Sequence, residues 1–97
     1  MTSLSPKAVR FIDTAIERVE DQTAKAIWHA RDRDIGAALS DAEARAALTA
    51  LQQFEHRLHL RLEASTDENE LSDISNDLGF IFSIETDLVK QLGGRAA

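Results

Sequence analysis

Three histidines, His29, His56 and His59, are the side chains of this sequence best suited to hold a metal ion. His56 and His59 are three residues apart, so a helix places them on one face, with Glu55 or Glu63 close enough to join them. The pattern goes no further. No His-Glu-x-x-His run supplies the remaining ligands, and the absence of cysteine excludes a sulfur-ligated zinc site. Histidines at a solvated rim explain the same spacing, so no metal is expected. Nucleophilic catalysis needs a Ser or Thr held beside a base. Ser5, Ser40 and Ser65 fall at helix starts and turns, where capping accounts for them. There is no Gly-x-Ser-x-Gly and no glycine-rich phosphate loop. Carboxylates are plentiful, but on an open face they keep ordinary pKa values and make poor general acids or bases. The expected chemistry is that of a binding protein with no cofactor, not of an enzyme.

The densest charged cluster is Asp67, Glu68, Glu70, Asp73 and Asp77. Glu70, Asp73 and Asp77 follow i, i+3, i+7 spacing and line one helical stripe. Carboxylates in a first turn favour the helix dipole, and capping alone explains part of this cluster. Asp77 lies beyond the first turn, however, and no Lys or Arg occurs between Arg61 and Lys90. The stripe therefore also fits an anionic docking face for a basic surface.

Phe80 falls on the same side, away from the Leu71, Ile74, Leu78 and Ile81 line, with Ile84 and Asp87 beside it. A Phe and an Ile ringed by carboxylates have the composition of an interface hot spot with a polar rim. A wide buried face touching two helices would use the same residues. Trp28, the single tryptophan, lies opposite Ile12, Ile16 and Val19 on a continuous helix. It is then either an exposed interface anchor or a core residue covered by residues 35–39 folding back. Phe11 is a weaker case of the same kind.

Helices must position all of these residues. Ser5-Pro6 reads as an N-cap followed by proline at the first helical position. Val9, Ile12, Ile16, Val19, Thr23, Ala26, Ile27 and Ala30 then recur at three- and four-residue spacing, which predicts one amphipathic helix over 6–33. Residues 35–39 are either a loop or a short extra helix. Ser40 and Glu43 match a capping box, with Leu39 as a hydrophobic staple. A second helix follows over 41–64, with an apolar line through Ala44, Ala47, Leu48, Leu51, Phe54, Leu58 and Leu62. Ser65 to Asn69 makes the next break. The third helix runs over 68–92 along Leu71, Ile74, Leu78, Ile81, Leu88 and Leu92, with Phe82 and Val89 on its flank, and stops at Gly93-Gly94. No segment alternates with period two. The expected fold is all-α, an antiparallel bundle of three long helices in one domain over 1–97.

With 97 residues, 43% hydrophobic and 29% charged, the chain has an ordinary globular balance. Its net charge of −6 is unevenly placed. Residues 1–62 hold nine acidic and nine basic side chains, whereas residues 63–97 hold eight acidic and two basic. Such a field disfavours direct nucleic-acid binding, where basic groups must neutralise phosphates, and favours a basic partner. No run of about 18 apolar residues occurs, and residues 1–6 have no basic and apolar leader pattern, so no membrane association and a cytoplasmic location are expected.

Size, lack of cysteine, helical texture and the stretch Asp67–Asp87, DENELSDISNDLGFIFSIETD, resemble the immunity proteins of bacterial contact-dependent growth inhibition (CDI). The resemblance is one of type along the whole chain and rests on no diagnostic motif. Immunity proteins of nuclease colicins are also small acidic helical bundles, but they use paired tyrosines, and this chain has none. The CDI resemblance implies a heterodimer with a cognate toxin, a basic nuclease domain that cleaves RNA, foremost tRNA. Its substrate cleft would be covered by an acidic face. On that reading Glu70, Asp73, Asp77, Phe80, Ile84, Asp87 and Trp28 touch the partner. The charges would speed encounter and the apolar anchors would slow dissociation. Two other classes fit the same residues: a helical adaptor or regulatory protein without a toxin, and a self-associating bundle, for which the alanine-rich second helix allows close approach in a homodimer.

Overall fold

The computed structural model describes residues 4–31 and 38–93. Every regular element among them is a helix. The order is α1 (Pro6–Arg18), α2 (Gln22–Ala30), α3 (Asp41–Ala64) and α4 (Glu68–Gln91). The all-α expectation holds, and the boundaries of α3 and α4 lie where the caps predict them. The Ser5 hydroxyl accepts from the Ala8 N–H at 3.2 Å, and Pro6 opens α1. Ser40 and Glu43 form the reciprocal capping box: Ser40 N–H donates to Glu43 Oε1 at 2.8 Å, and Glu43 N–H donates to Ser40 Oγ at 3.1 Å. Asp67 caps α4 by accepting from the Asn69 N–H. Gly93, at φ 99°, supplies the left-handed residue that ends it.

The continuous helix expected over 6–33 is corrected to two. Val19 leaves the helical region at φ −72°, ψ 142°. Asp21 then starts α2, its carboxylate accepting from the Thr23 and Ala24 N–H groups at 2.9 and 3.1 Å. Neither Gly nor Pro marks this break. A single Asp N-cap creates it, and the apolar spacing continues across it unchanged. Of the segment 35–39, read as either a loop or a short extra helix, residues 35–37 lie outside the described residues. Ala38 and Leu39 are not helical, and Leu39 is fully buried.

α3 is the central element and packs against the other three helices. Its buried residues include Ala44, Ala46, Ala47 and Ala50, small side chains that let neighbouring helices approach closely. Its apolar line continues through Leu51, Phe54 and Leu58. α1 contributes Val9, Ile12 and Ile16, and α4 contributes Ile74, Ile81, Ile84 and Leu88. The 65–67 connection leaves no room for a crossover, so α4 returns antiparallel along α3. Both ends of the pair are tied. Arg61 Nη2 donates to Glu70 Oε1 at 2.9 Å at one end, and Gln91 Nε2 donates to the Leu39 carbonyl at 2.9 Å at the other. Each of these 24-residue helices is about 36 Å long, which accounts for the 40 Å long axis of the molecule.

Candidate functional site

Of the residues expected to form one partner-binding face, Trp28 and Ile84 are buried, Glu70, Asp77 and Phe80 are half-buried, and Asp73 and Asp87 are exposed. Trp28 is fully buried, so of its two readings the core residue holds, and it is removed from the partner-binding face. The break at Val19–Asp21 is the reason. It resets the helical wheel, so α2 turns Ala24 and Trp28 inward, while Thr23, Ala26 and Ala30 face out. The Trp28 indole N–H donates to Asp13 Oδ1 at 2.7 Å. Arg31 lies over its ring at 5.1 Å and pairs through Nε with Glu43 of the α3 capping box. Trp28 therefore locks α2 to α1, with its one polar atom satisfied as a buried indole requires.

Ile84 is corrected in the same way. It is buried in the α4 core face with Ile81 and Leu88. α4 has a wider apolar face than the Leu71/Ile74/Leu78/Ile81 line alone indicates. Phe80 is half-buried. Its ring meets Phe11 edge-on at 5.3 Å, and Phe11 stacks on Phe54 at 5.5 Å, so three aromatics join α4, α1 and α3. Lys7 Nζ sits 4.8 Å from the Phe80 ring. Phe11 and Phe80 are thus structural contacts first.

The acidic stripe divides by role. Glu70 is engaged in the fold: besides Arg61, it accepts from the Ser65 hydroxyl at 3.0 Å. Asp73 is exposed and Asp77 half-exposed, and neither has an ion pair among the described residues. Asp87 is exposed further along. The histidines gather no metal cluster: among the described residues no group of three or more potential ligands converges. His59 Nε2 lies 3.7 Å from Glu55 Oε1, and His29 Nε2 lies 3.8 Å from Glu17 Oε1.

The most open apolar feature is one that the sequence reading placed only on the flank of α4. Phe82 is 68% exposed. It stands two residues from Phe80, about 200° around the helix, and so faces away from the Phe11 cluster. Phe82, Glu85, Thr86 and Val89 form an i, i+3, i+4, i+7 stripe. Leu48, Gln52 and Glu55 form a matching stripe on α3, and with Lys90 the two stripes line a groove of about 490 Å³. Within it, Glu85 is hydrogen-bonded to Glu55. Desolvation in the groove, that hydrogen bond and the like charge of Glu55 together raise the Glu85 carboxyl to about 7.

The helical spacing of Phe82 to Val89 is visible in the sequence. Its meeting with Leu48, Gln52 and Glu55 is not, because that depends on how α3 and α4 are aligned. The groove holds the raised Glu85 carboxyl beside Glu55, an exposed aromatic ring and aliphatic walls. This arrangement can hold a cation that carries an apolar stem. No helix among the described residues is long and apolar enough to cross a membrane. Comparison with protein-family models, curated proteins and solved structures finds no match to this chain.

Proposed function

We propose that the chain is an immunity protein that binds the basic nuclease domain of a cognate bacterial toxin, an RNase or tRNase, and covers its substrate cleft. The observation that carries this reading is the character of α4. It presents Asp73 and Asp77 without basic neighbours in sequence, with the half-buried Phe80 on the same flank, so anionic and apolar atoms lie side by side on one element. A cleft that holds RNA must be basic, and an acidic helix imitates the phosphate charge that the cleft is built to bind. Long-range attraction would raise the association rate, and an apolar contact would lower the dissociation rate. Cognate choice would follow from charge positions that repel when mismatched.

The burial of Trp28 and Ile84 removes those two anchors and leaves the proposed contact with Asp73, Asp77 and Asp87 and the half-buried edge of Phe80 beside them. The test is co-purification of the tagged chain with the protein encoded immediately upstream, at low and high salt. A one-to-one complex whose association rate falls with salt supports the reading. Absence of a complex removes it and leaves an adaptor or a self-associating bundle.

A further inference from the structure

The α3–α4 groove has walls of two kinds. Leu48, Phe82 and Val89 are apolar, and Glu55 and Glu85 place two hydrogen-bonded carboxyl groups between them. Phe82 is exposed to an extent unusual for an aromatic side chain with a neighbouring groove to fold into. The charge of the groove selects among occupants. A second copy of this chain, docked groove to groove, would bring two Glu pairs together in an apolar seam, and their like charges would oppose it. A neutral apolar segment would cover the carboxyl groups without replacing their solvation. A cationic side chain with an aliphatic stem satisfies both kinds of wall. Guanidinium suits best, because its planar fork can meet two carboxylates at once and lie against an aromatic ring.

We propose that this groove seats an arginine side chain of a basic protein partner, its stem against Leu48, Phe82 and Val89 and its guanidinium between Glu55 and Glu85. The proposal deepens the immunity reading and rests on it for the identity of the partner. The titratable groups around the seat are Glu55 and His59 on α3 and Glu85 and Lys90 on α4. Lys90 forms no ion pair with either carboxylate among the described residues. An arriving guanidinium favours the ionised form of Glu85, so its binding opposes the protonation that the groove otherwise promotes there.

The test uses the whole chain, carbon-13 labelled, titrated with N-acetylargininamide. N-acetylcitrullinamide, of nearly the same shape but neutral, is the control. The side-chain carboxyl resonances of Glu55 and Glu85 are followed against pH. The expected result is that the arginine compound shifts both resonances and lowers the Glu85 midpoint by about one unit or more, while the citrulline compound does neither. Glu55→Gln and, separately, Phe82→Ala should each weaken the arginine effect about tenfold, the scale of one lost charge-assisted contact.

Carboxyl resonances unmoved by the arginine compound, or moved equally by both compounds, would overturn the proposal. So would a concentration-dependent dimer in sedimentation that Phe82→Ala abolishes, because it would assign the groove to a second copy. No toxin enters this experiment. Its failure removes the arginine seat and leaves the immunity reading to co-purification, whereas a missing toxin complex removes the partner and leaves the seat to be judged by the titration.

Discussion

The indole N–H of Trp28 donates a 2.7 Å hydrogen bond to Asp13 Oδ1, and this contact joins the two short helices into which the N-terminal segment is broken. It turns a residue with the look of a surface anchor into the largest fully buried side chain of the core. Asp13→Ala would leave that N–H without its acceptor in a dry site, at a cost of about 1–3 kcal/mol. Asp13→Asn keeps an acceptor and should recover part of the loss. Urea unfolding followed by Trp28 fluorescence reads both. Equal midpoints for Asp13→Ala and the parent would show that the bond contributes nothing.

The Glu85 carboxyl is raised from 4.5 to about 7 by burial and by Glu55. A carboxyl with a raised folded pKa favours the folded state while protonated. The sign is therefore a loss of stability as pH rises from the unfolded value of 4.5 through about 7. Full linkage for such a shift is about 3 kcal/mol. The groove is open to water, and screening reduces the expected loss to about 1 kcal/mol. Glu85→Gln should flatten this part of the pH–stability curve and be the more stable form at pH values above the Glu85 midpoint. A parent curve already flat between the two pKa values would contradict the pairing.

Glu43 behaves in the opposite sense. Burial works to raise its carboxyl, but its bonds with Ser40 and the Arg31 charge outweigh that and hold it below the ordinary value. Its contribution is present above the unfolded pKa and is lost as pH falls through the lowered folded one. Ser40→Ala should cost about 1 kcal/mol at neutral pH through the lost cap. It should also move the Glu43 midpoint back toward its usual range, measurable by carbon-13 titration. A Glu43 midpoint unaffected by Ser40→Ala would separate the cap from the shift.

Gly79 lies inside α4 with open space where a Cβ would stand, and its φ is not positive. Gly79→Ala should therefore stabilise the protein by about 0.5–1 kcal/mol, through the lower conformational entropy of the unfolded chain and better helix propensity. Thermal unfolding checks it. A lowered melting temperature would mean that this side of α4 is more crowded than it stands here.

Ile84 and the Asp73/Asp77 pair should separate stability from binding. Ile84→Ala opens a core cavity and should cost about 2–4 kcal/mol. Asp73→Lys combined with Asp77→Lys alters a solvated surface and should change stability by no more than about 0.5 kcal/mol, while slowing association with a basic toxin at low salt. Calorimetric unfolding and stopped-flow association give the two readouts. Unchanged association in the double variant would remove those aspartates from the partner face.

The helical class, the ends of α3 and α4 and most of the inward-facing line are legible from the order of residues alone. These depend on neighbours within one turn: Ser40 with Glu43, Asp67 with Asn69, and apolar residues three and four apart. The break at Val19–Asp21 was not legible, because the apolar period continues across it and Asp21 is its only local mark. That one cap rotates α2, buries Trp28 and exposes Ala26 and Ala30. The meeting of Glu55 with Glu85 comes from packing between helices. Thirty positions separate them in the chain, and the antiparallel alignment of α3 with α4, held by Arg61–Glu70 at one end and Gln91–Leu39 at the other, sets them side by side. Periodicity tells which face a side chain joins along its own helix. Which residue stands opposite it follows from how two helices slide and turn to bury their faces together.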